Sequence, residues 1–539
     1  MASILLVEDD QDQLAIRCMI LRRSGHTVYS AISAQSALES LRTIEIDCVI
    51  MDLRLPTAQD GVDLIRSIRA FKPTLPIVVL SGWTADLAQR PEHGMVNAIL
   101  AKPVRTEHLL KIVGRFVACL CMLAVLARSA LAQSREFPFT VQQRGEVVAE
   151  LRLAAPGADW AAAGREAALA ELSLDGKPQQ HLMAFAGERV YGVFLGQIEP
   201  GPHVLKVERH RSLSAAGAAL AILGARIVET RDERVLHAPI LYARANTIGA
   251  FSDVPLLVYS TSGRDQDGRW LEYSVIFSNE DGGTSTRDLM ARWGRTTDIE
   301  YVYRVWLDAR GAPAKTLIQT RDHKDVPYAG AREGLHPILI PVTDNNMVEP
   351  AGAGASPIRY QLIPVPAELS SASREAVMDV APLTYEISAK ELIREGKLRD
   401  FGKFDGEKIS DPRNYLIVEL KLQNQAAALQ VLARKSGSSR WQASALGLGK
   451  DHIERNGWAR TTIEMPPGTN LAGIAEIAVE CLSLRDLSKQ LQPKNGRCLV
   501  ESIGKIFFLG PDYVPQPAAM SPAGPWKLEV GEMVTLPLR

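Results

Sequence analysis

The sequence predicts a multi-domain chain, with a doubly wound α/β unit of (βα)5 order at the N-terminus and mainly-β sandwich domains after it. Two observations carry that expectation. In the first hundred-odd residues, apolar runs of strand length alternate with segments patterned as helices. From Gln133 onward the texture changes to short strands between Gly/Pro turns. A chain of 539 residues has room for about three or four domains of ordinary size. The net charge of −1 gives no bulk electrostatic case for nucleic acid, and no helix-turn-helix unit follows the α/β region.

In the α/β unit, Ile4 to Val7 reads as a buried strand that runs straight into Glu8, Asp9 and Asp10. Asp12 to Ser24 reads as a helix stopped by Gly25. Ser33 can cap a second helix, with Ala34, Ala37, Leu38 and Leu41 on one face. Val49, Ile50 and Met51 form a strand that ends on Asp52. Val62, Ile65 and Ile68 make the apolar face of a third helix, Ile77 to Leu80 is a strand ending on Ser81, and 83–93 is a weaker helical stretch. The last strand, Ala98 to Ala101, closes on Lys102, and Thr106 can cap a final helix with Leu109, Leu110 and Val113 inward. Parallel strands joined by helices bring those strand ends to one edge, where open α/β sheets present their ligand groups.

Acids, an acid, a hydroxyl and a cation therefore meet at one edge. Adjacent acids repel unless a cation sits among them, and Mg²⁺ prefers oxygen ligands and keeps phosphate in its shell. Asp9 and Asp52 can hold it, with Glu8 acting through water. Asp52 can then attack phosphorus to form an acyl phosphate, while Ser81 and Lys102 meet the phosphoryl oxygens. This constellation resembles the receiver domain of two-component response regulators, over residues 2–116. The resemblance implies that Asp52 is the phosphoacceptor and that Glu8, Asp9, Asp52 and the backbone carbonyl of Arg54 form the Mg²⁺ site. It further implies that Ser81 and Lys102 bind the phosphoryl group, that Lys102–Pro103 is cis, and that the partner is a histidine kinase or phosphotransfer protein. Two departures stand out. Ile99 occupies the place of the family's aromatic switch residue, and the segment between Pro56 and Gly61 looks about one residue long for the family.

Lys111 and Arg115 precede an unbroken apolar run from Phe116 to Leu126, and Ala130-Leu131-Ala132 follows. A basic flank, a short apolar core and an A-x-A ending make residues 116–132 signal-peptide-like. The run is short of the roughly 20 residues of a normal span. The rival reading is an extension of the last receiver helix. An internal signal segment behind a cytoplasmic receiver implies either a genuine fusion or two joined reading frames, with residues 133–539 exported.

The later chain divides by its turn signals into a β-sandwich at 137–235, a β-rich unit at 236–345, a linker with one strand at 346–375 and a jelly-roll-like sandwich at 376–539. Asp175-Gly176 marks a hairpin. If residues 133–539 are exported, Cys481 and Cys498 are their only cysteines and should form a disulfide. Asp265-Gln266-Asp267-Gly268 lacks the Glu of a calcium loop and reads as a hairpin turn. His237, His323 and His336 never reach zinc spacing, and Trp441 and Trp458 read as core before they read as sugar platforms. No catalytic motif is visible, so the chain is not expected to be an enzyme beyond its own phosphorylation. The function expected is phosphorelay signalling through Asp52. A secreted glycan- or surface-binding protein and a secreted hydrolase are the alternatives for the β-rich part.

Overall fold

The computed structural model describes residues 3–102 apart from 25, 45, 74, 83, 84 and 89, then 104 and 109, 134–444 apart from 281, 452–483, 496–520 and 524–536. The signal-like segment, the last receiver helix except Leu109, and the Lys102–Pro103 bond lie outside these residues. The chain divides into two compact units, Met1–Ala130 and Leu131–Arg539.

In the first unit, β1 (Ser3–Val7), β2 (Thr27–Ala31), β3 (Cys48–Asp52), β4 (Ile77–Ser81) and β5 (Ala98–Ala101) form a parallel sheet in the order β2-β1-β3-β4-β5. Every residue of β3 and β4 is buried, as expected of central strands covered on both faces. Helices α1 (Gln11–Arg23), α2 (Ala34–Thr43), α3 (Ala58–Phe71) and the single turn α4 (Ala85–Ala88) connect the strands. A 3₁₀ turn at Pro91–Met95 completes the weakly patterned stretch.

Local chemistry explains the helix starts. Asp10 is the N-cap of α1, its carboxylate accepting from the amides of Asp12 and Gln13. Ser33 caps α2 in a capping box with Ser36, and Thr57 caps α3 in a capping box with Asp60. Gly61 is required by close packing, since a Cβ there would lie 1.9 Å from the Leu53 backbone oxygen. That contact seats α3 against the turn that follows Asp52.

The second unit begins with β6 (Ser134–Val141), β7 (Gly145–Ala154), β8 (Ala168–Leu174), β9 (Lys177–Ala184), β10 (Glu188–Ile198), β11 (Gly201–Arg209) and β12 (Ala221–Thr230). They make two antiparallel sheets, β6-β11-β8-β9 and β10-β7-β12. Asp175 and Gly176 both have positive φ, the signature of the tight turn expected between β8 and β9.

The boundary expected near 235 has no counterpart in the packing. One apolar core runs from Val141 to Ile387 and takes in the six-stranded sheet built on 255–265, 268–277 and 298–307. The stretch 346–375, expected as a linker with one strand, instead carries three short paired strands, Val348–Pro350, Arg359–Tyr360 and Val365–Pro366. Ile358, Tyr360 and Gln361 are buried there, so its Gly, Ala and Pro mark turns between pinned strands. The last region opens with two helices, Ala376–Val380 and Leu383–Arg394, before its two antiparallel sheets. Their shared core runs from Leu416 to Leu536. Cys481 and Cys498, both buried, are bonded across those facing sheets at 2.14 Å. Cys18 and Cys48 of the first unit are free thiols.

Candidate functional site

The carboxyl ends of β1, β3, β4 and β5 place Glu8, Asp52, Ser81 and Lys102 at one edge of the parallel sheet. Pairing in register fixes their relative heights: Val7 sits beside Met51, Asp52 beside Leu80, and Ser81 beside Ala101. Lys102 Nζ lies 2.5 Å from Asp52 Oδ2 and 3.2 Å from Glu8 Oε2. Oxygen atoms of Glu8, Asp9 and Asp52 lie within 4.8 Å of one another. Asp9 is exposed, while Glu8, Asp52 and Ser81 are buried.

Burial pushes the Glu8 carboxyl above its ordinary value and Asp52 adds to that push, while Lys102 and Arg17 pull it down. The backbone turns sharply after β3, so that the Arg54 amide reaches Asp52 Oδ1 at 3.3 Å. The Arg54 side chain pairs with Asp86 of α4 at 2.8 Å on the outer rim. Three carboxylates converging beside a single amine form a hard-oxygen donor set, and this fits Mg²⁺ better than a softer metal. Ile99 is half-buried on β5 beside Val79 and packs on the core of the first unit.

Two features of this edge escape sequence reading. Asp10, the third acid of the run, is occupied in capping α1. Arg17, on α1, turns its guanidinium onto Glu8 and also donates to Gln13 Oε1 at 2.7 Å.

A second cluster lies in the β-rich unit, where Glu171, His181 and His210 come together on the sheet containing β8, β9 and β11. Nδ1 of His181 accepts from the Arg359 amide and Nδ1 of His210 from the Leu213 amide, each at 3.3 Å. Burial first, and His210 second, push His181 down to about 4. His181 is therefore neutral at pH 7, and with Nδ1 accepting it carries its proton on Nε2; His210 Nε2 stands 4.0 Å from Glu171. A metal-bound imidazole needs the opposite arrangement, with the distal N–H donated away from the ion. The group is therefore a polar cluster on the sheet.

The Asp265 motif settles as a turn and His336 as core, while Trp441 and Trp458, expected as core, are only half-buried. Asp265 accepts from Trp306 Nε1 at 2.9 Å and Asp267 pairs with Lys315 in the hairpin turn. His336 is buried, stacked on Phe194, with Nδ1 2.8 Å from the Ala238 oxygen.

A parallel five-stranded α/β unit with a buried acid, its neighbouring acids and a lysine at the strand ends defines a class of domain that takes a phosphoryl group on a carboxylate. Residues 4–114 match the response regulator receiver domain family, and the N-terminal unit is such a receiver domain. The transcription factor SKN7 of Saccharomyces cerevisiae is 31% identical over 156 residues, covering 28% of this chain and 25% of that protein. The transcriptional regulatory protein GlrR of Escherichia coli is 33% identical over 110 residues, covering 20% and 24%. The chain thus spans about a quarter of the length of these relatives. Among solved structures, a receiver domain protein from Clostridium thermocellum matches at 25% identity and TM-score 0.22, covering 23% of this chain and 99% of that one. The response regulator TrrA of Thermotoga maritima, solved with Mg²⁺-BeF, matches at 20% identity and TM-score 0.20, covering 22% and 99%.

Proposed function

We propose that this chain accepts a phosphoryl group on Asp52 from the phosphohistidine of a sensor kinase or phosphotransfer protein. The observation that carries the reading is the meeting of Glu8, Asp9 and Asp52 with Lys102, whose Nζ is 2.5 Å from Asp52 Oδ2. A carboxylate oxygen of Asp52 attacks phosphorus, the P–N bond of the donor breaks, and the histidine leaves with its electron pair and takes a proton. Lys102 neutralises charge on the transferred group, and Ser81, buried at the end of β4, donates its hydroxyl to one of that group's oxygens. Asp9, Asp52 and the Arg54 carbonyl, with Glu8 assisting through water, would hold Mg²⁺, which would supply positive charge for the incoming phosphoryl oxygens.

The test is to incubate the full chain with acetyl phosphate and Mg²⁺ and to read the intact mass. One phosphoryl adduct is expected on the native chain and none on Asp52→Asn. Equal labelling of the two refutes the assignment.

For residues 133–539 the proposal is export from the cytoplasm with processing after Ala132. Support comes from the bonded Cys481 and Cys498, beside two free thiols in the receiver. The N-terminal sequence of whatever native species carries the β-rich region tests this; an intact 539-residue chain in the cytoplasm overturns it. The relatives named above bring no support to a glycan-binding or hydrolytic reading of this region.

A further inference from the structure

Arg17 is the charged group at the acidic edge that the phosphotransfer reading leaves without a role. It lies on α1 directly after the exposed Ala15 and Ile16, yet its side chain is only 14% exposed. The guanidinium meets the Oε2 atom of Glu8, the same oxygen that faces Lys102, and its other end is held by Gln13 Oε1 at 2.7 Å. Gln13 in turn donates to the capping carboxylate of Asp10 at 3.1 Å. A chain of contacts from the helix cap to the buried acid therefore holds Arg17 in place. Arginine suits this position because its planar fork can serve a carboxylate and an amide oxygen together and cannot lose its charge.

The consequence is electrostatic. Three carboxylates, Glu8, Asp9 and Asp52, face two cations, Lys102 and Arg17, so the pocket carries one net negative charge. Without Arg17 it would carry two. A divalent ion entering among those carboxylates meets a repelling charge one residue away, and must also share Glu8 with a guanidinium already bound to it.

We propose that Arg17 is a resident counter-ion of the metal pocket, neutralising Glu8 when the metal is absent and holding the Mg²⁺ affinity down. It is a positioning residue, acting on the metal through Glu8. The inference rests on reading the pocket as a Mg²⁺ site.

The experiment is calorimetric titration of the full chain with MgCl₂, using an Asp9→Asn/Asp52→Asn chain as the blank for binding elsewhere. Arg17→Met, which keeps volume and removes charge, should bind Mg²⁺ at least about tenfold more tightly, since even at the dielectric of bulk water one unit charge about 6 Å from a divalent ion is worth that much. Arg17→Lys should stay within about twofold of the native chain, because the charge remains. Gln13→Leu frees the far end of the guanidinium and should tighten binding about twofold; it decides the matter should Arg17→Met not fold. Unchanged or weaker affinity in Arg17→Met, or no change in Gln13→Leu when that variant decides, overturns the role of Arg17 and leaves the metal site standing. A native chain that takes up no more Mg²⁺ than the blank overturns the metal site itself, and this inference with it.

Discussion

Replacing Lys102 by Met would remove the one amine that, among the described residues, touches Asp52 while keeping most of its volume. The perturbation reaches two acids, since Nζ lies 2.5 Å from Asp52 and 3.2 Å from Glu8. Glu8 has a side chain only 2% exposed, against 12% for Asp52 and 19% for Lys102. Breaking a fully buried ion pair from one side costs about 3–5 kcal/mol. Solvent at Lys102 and Asp52 screens part of that, and Arg17 still neutralises Glu8. The expected loss for the metal-free receiver is therefore about 1–2 kcal/mol, or roughly 5–10 °C in the transition of a domain this size. Mg²⁺ supplies the missing positive charge, so the gap between variant and native chain should narrow as the ion is added. Phosphorylation by acetyl phosphate at saturating Mg²⁺ should still fall about a hundredfold, because the developing charge on the phosphoryl group has lost a fixed donor. Scanning calorimetry with and without Mg²⁺, followed by intact mass against time, reads both effects. Equal transitions at every Mg²⁺ concentration would refute the reasoning.

Two further predictions concern the β-rich unit. Replacing both Cys481 and Cys498 by Ala opens a loop whose ends are 17 residues apart, and the chain-entropy model puts the loss at about 3 kcal/mol, measurable as a lower urea midpoint. An unchanged midpoint counts against a disulfide in the native protein. Glu391 is buried against Trp160, and burial pushes its carboxyl up from 4.5 to about 8. The fold therefore holds a proton that the unfolded chain releases near pH 4.5, so this contribution is full below that pH and is lost as pH rises to about 8. Glu391→Gln should remove that part of the slope, up to about 1 kcal/mol per pH unit, and a variant whose urea midpoint tracks the native chain across pH 5–8 would exclude it.

How far the sequence was legible depended on what fixes each contact. Glu8, Asp52, Ser81 and Lys102 were readable because each ends an apolar run, and parallel register alone brings strand ends together. Ser33 was readable as a cap because the cap contact is local. Arg17 was not, since its helix pattern says only that α1 has a solvent face, and the bend of its side chain onto Glu8 depends on packing. Asp10 shows the converse, an acid in a suggestive run that local capping claims first. The pairing of Glu171 with His181 was hidden by a bulge between Leu172 and Ser173. From the Asp175-Gly176 turn a regular ladder would set Glu171 against Gln180, and one extra residue exchanges which side chain shares its face. The common core from Val141 to Ile387 was illegible for another reason. Turn signals mark where strands end, and say nothing about which sheets share an interior.

The bond between Cys481 and Cys498 has a consequence for how the protein breaks. A protease that cuts anywhere between these residues separates the chain into a long front piece and a tail, yet the tail stays tied through sulfur to the piece it left. That tail also remains hydrogen-bonded into both sheets through Arg497–Phe507 and Met533–Leu536. The nicked molecule would run at full size under oxidising conditions and come apart only when thiol is added, so damage in this segment is invisible unless it is looked for with a reductant.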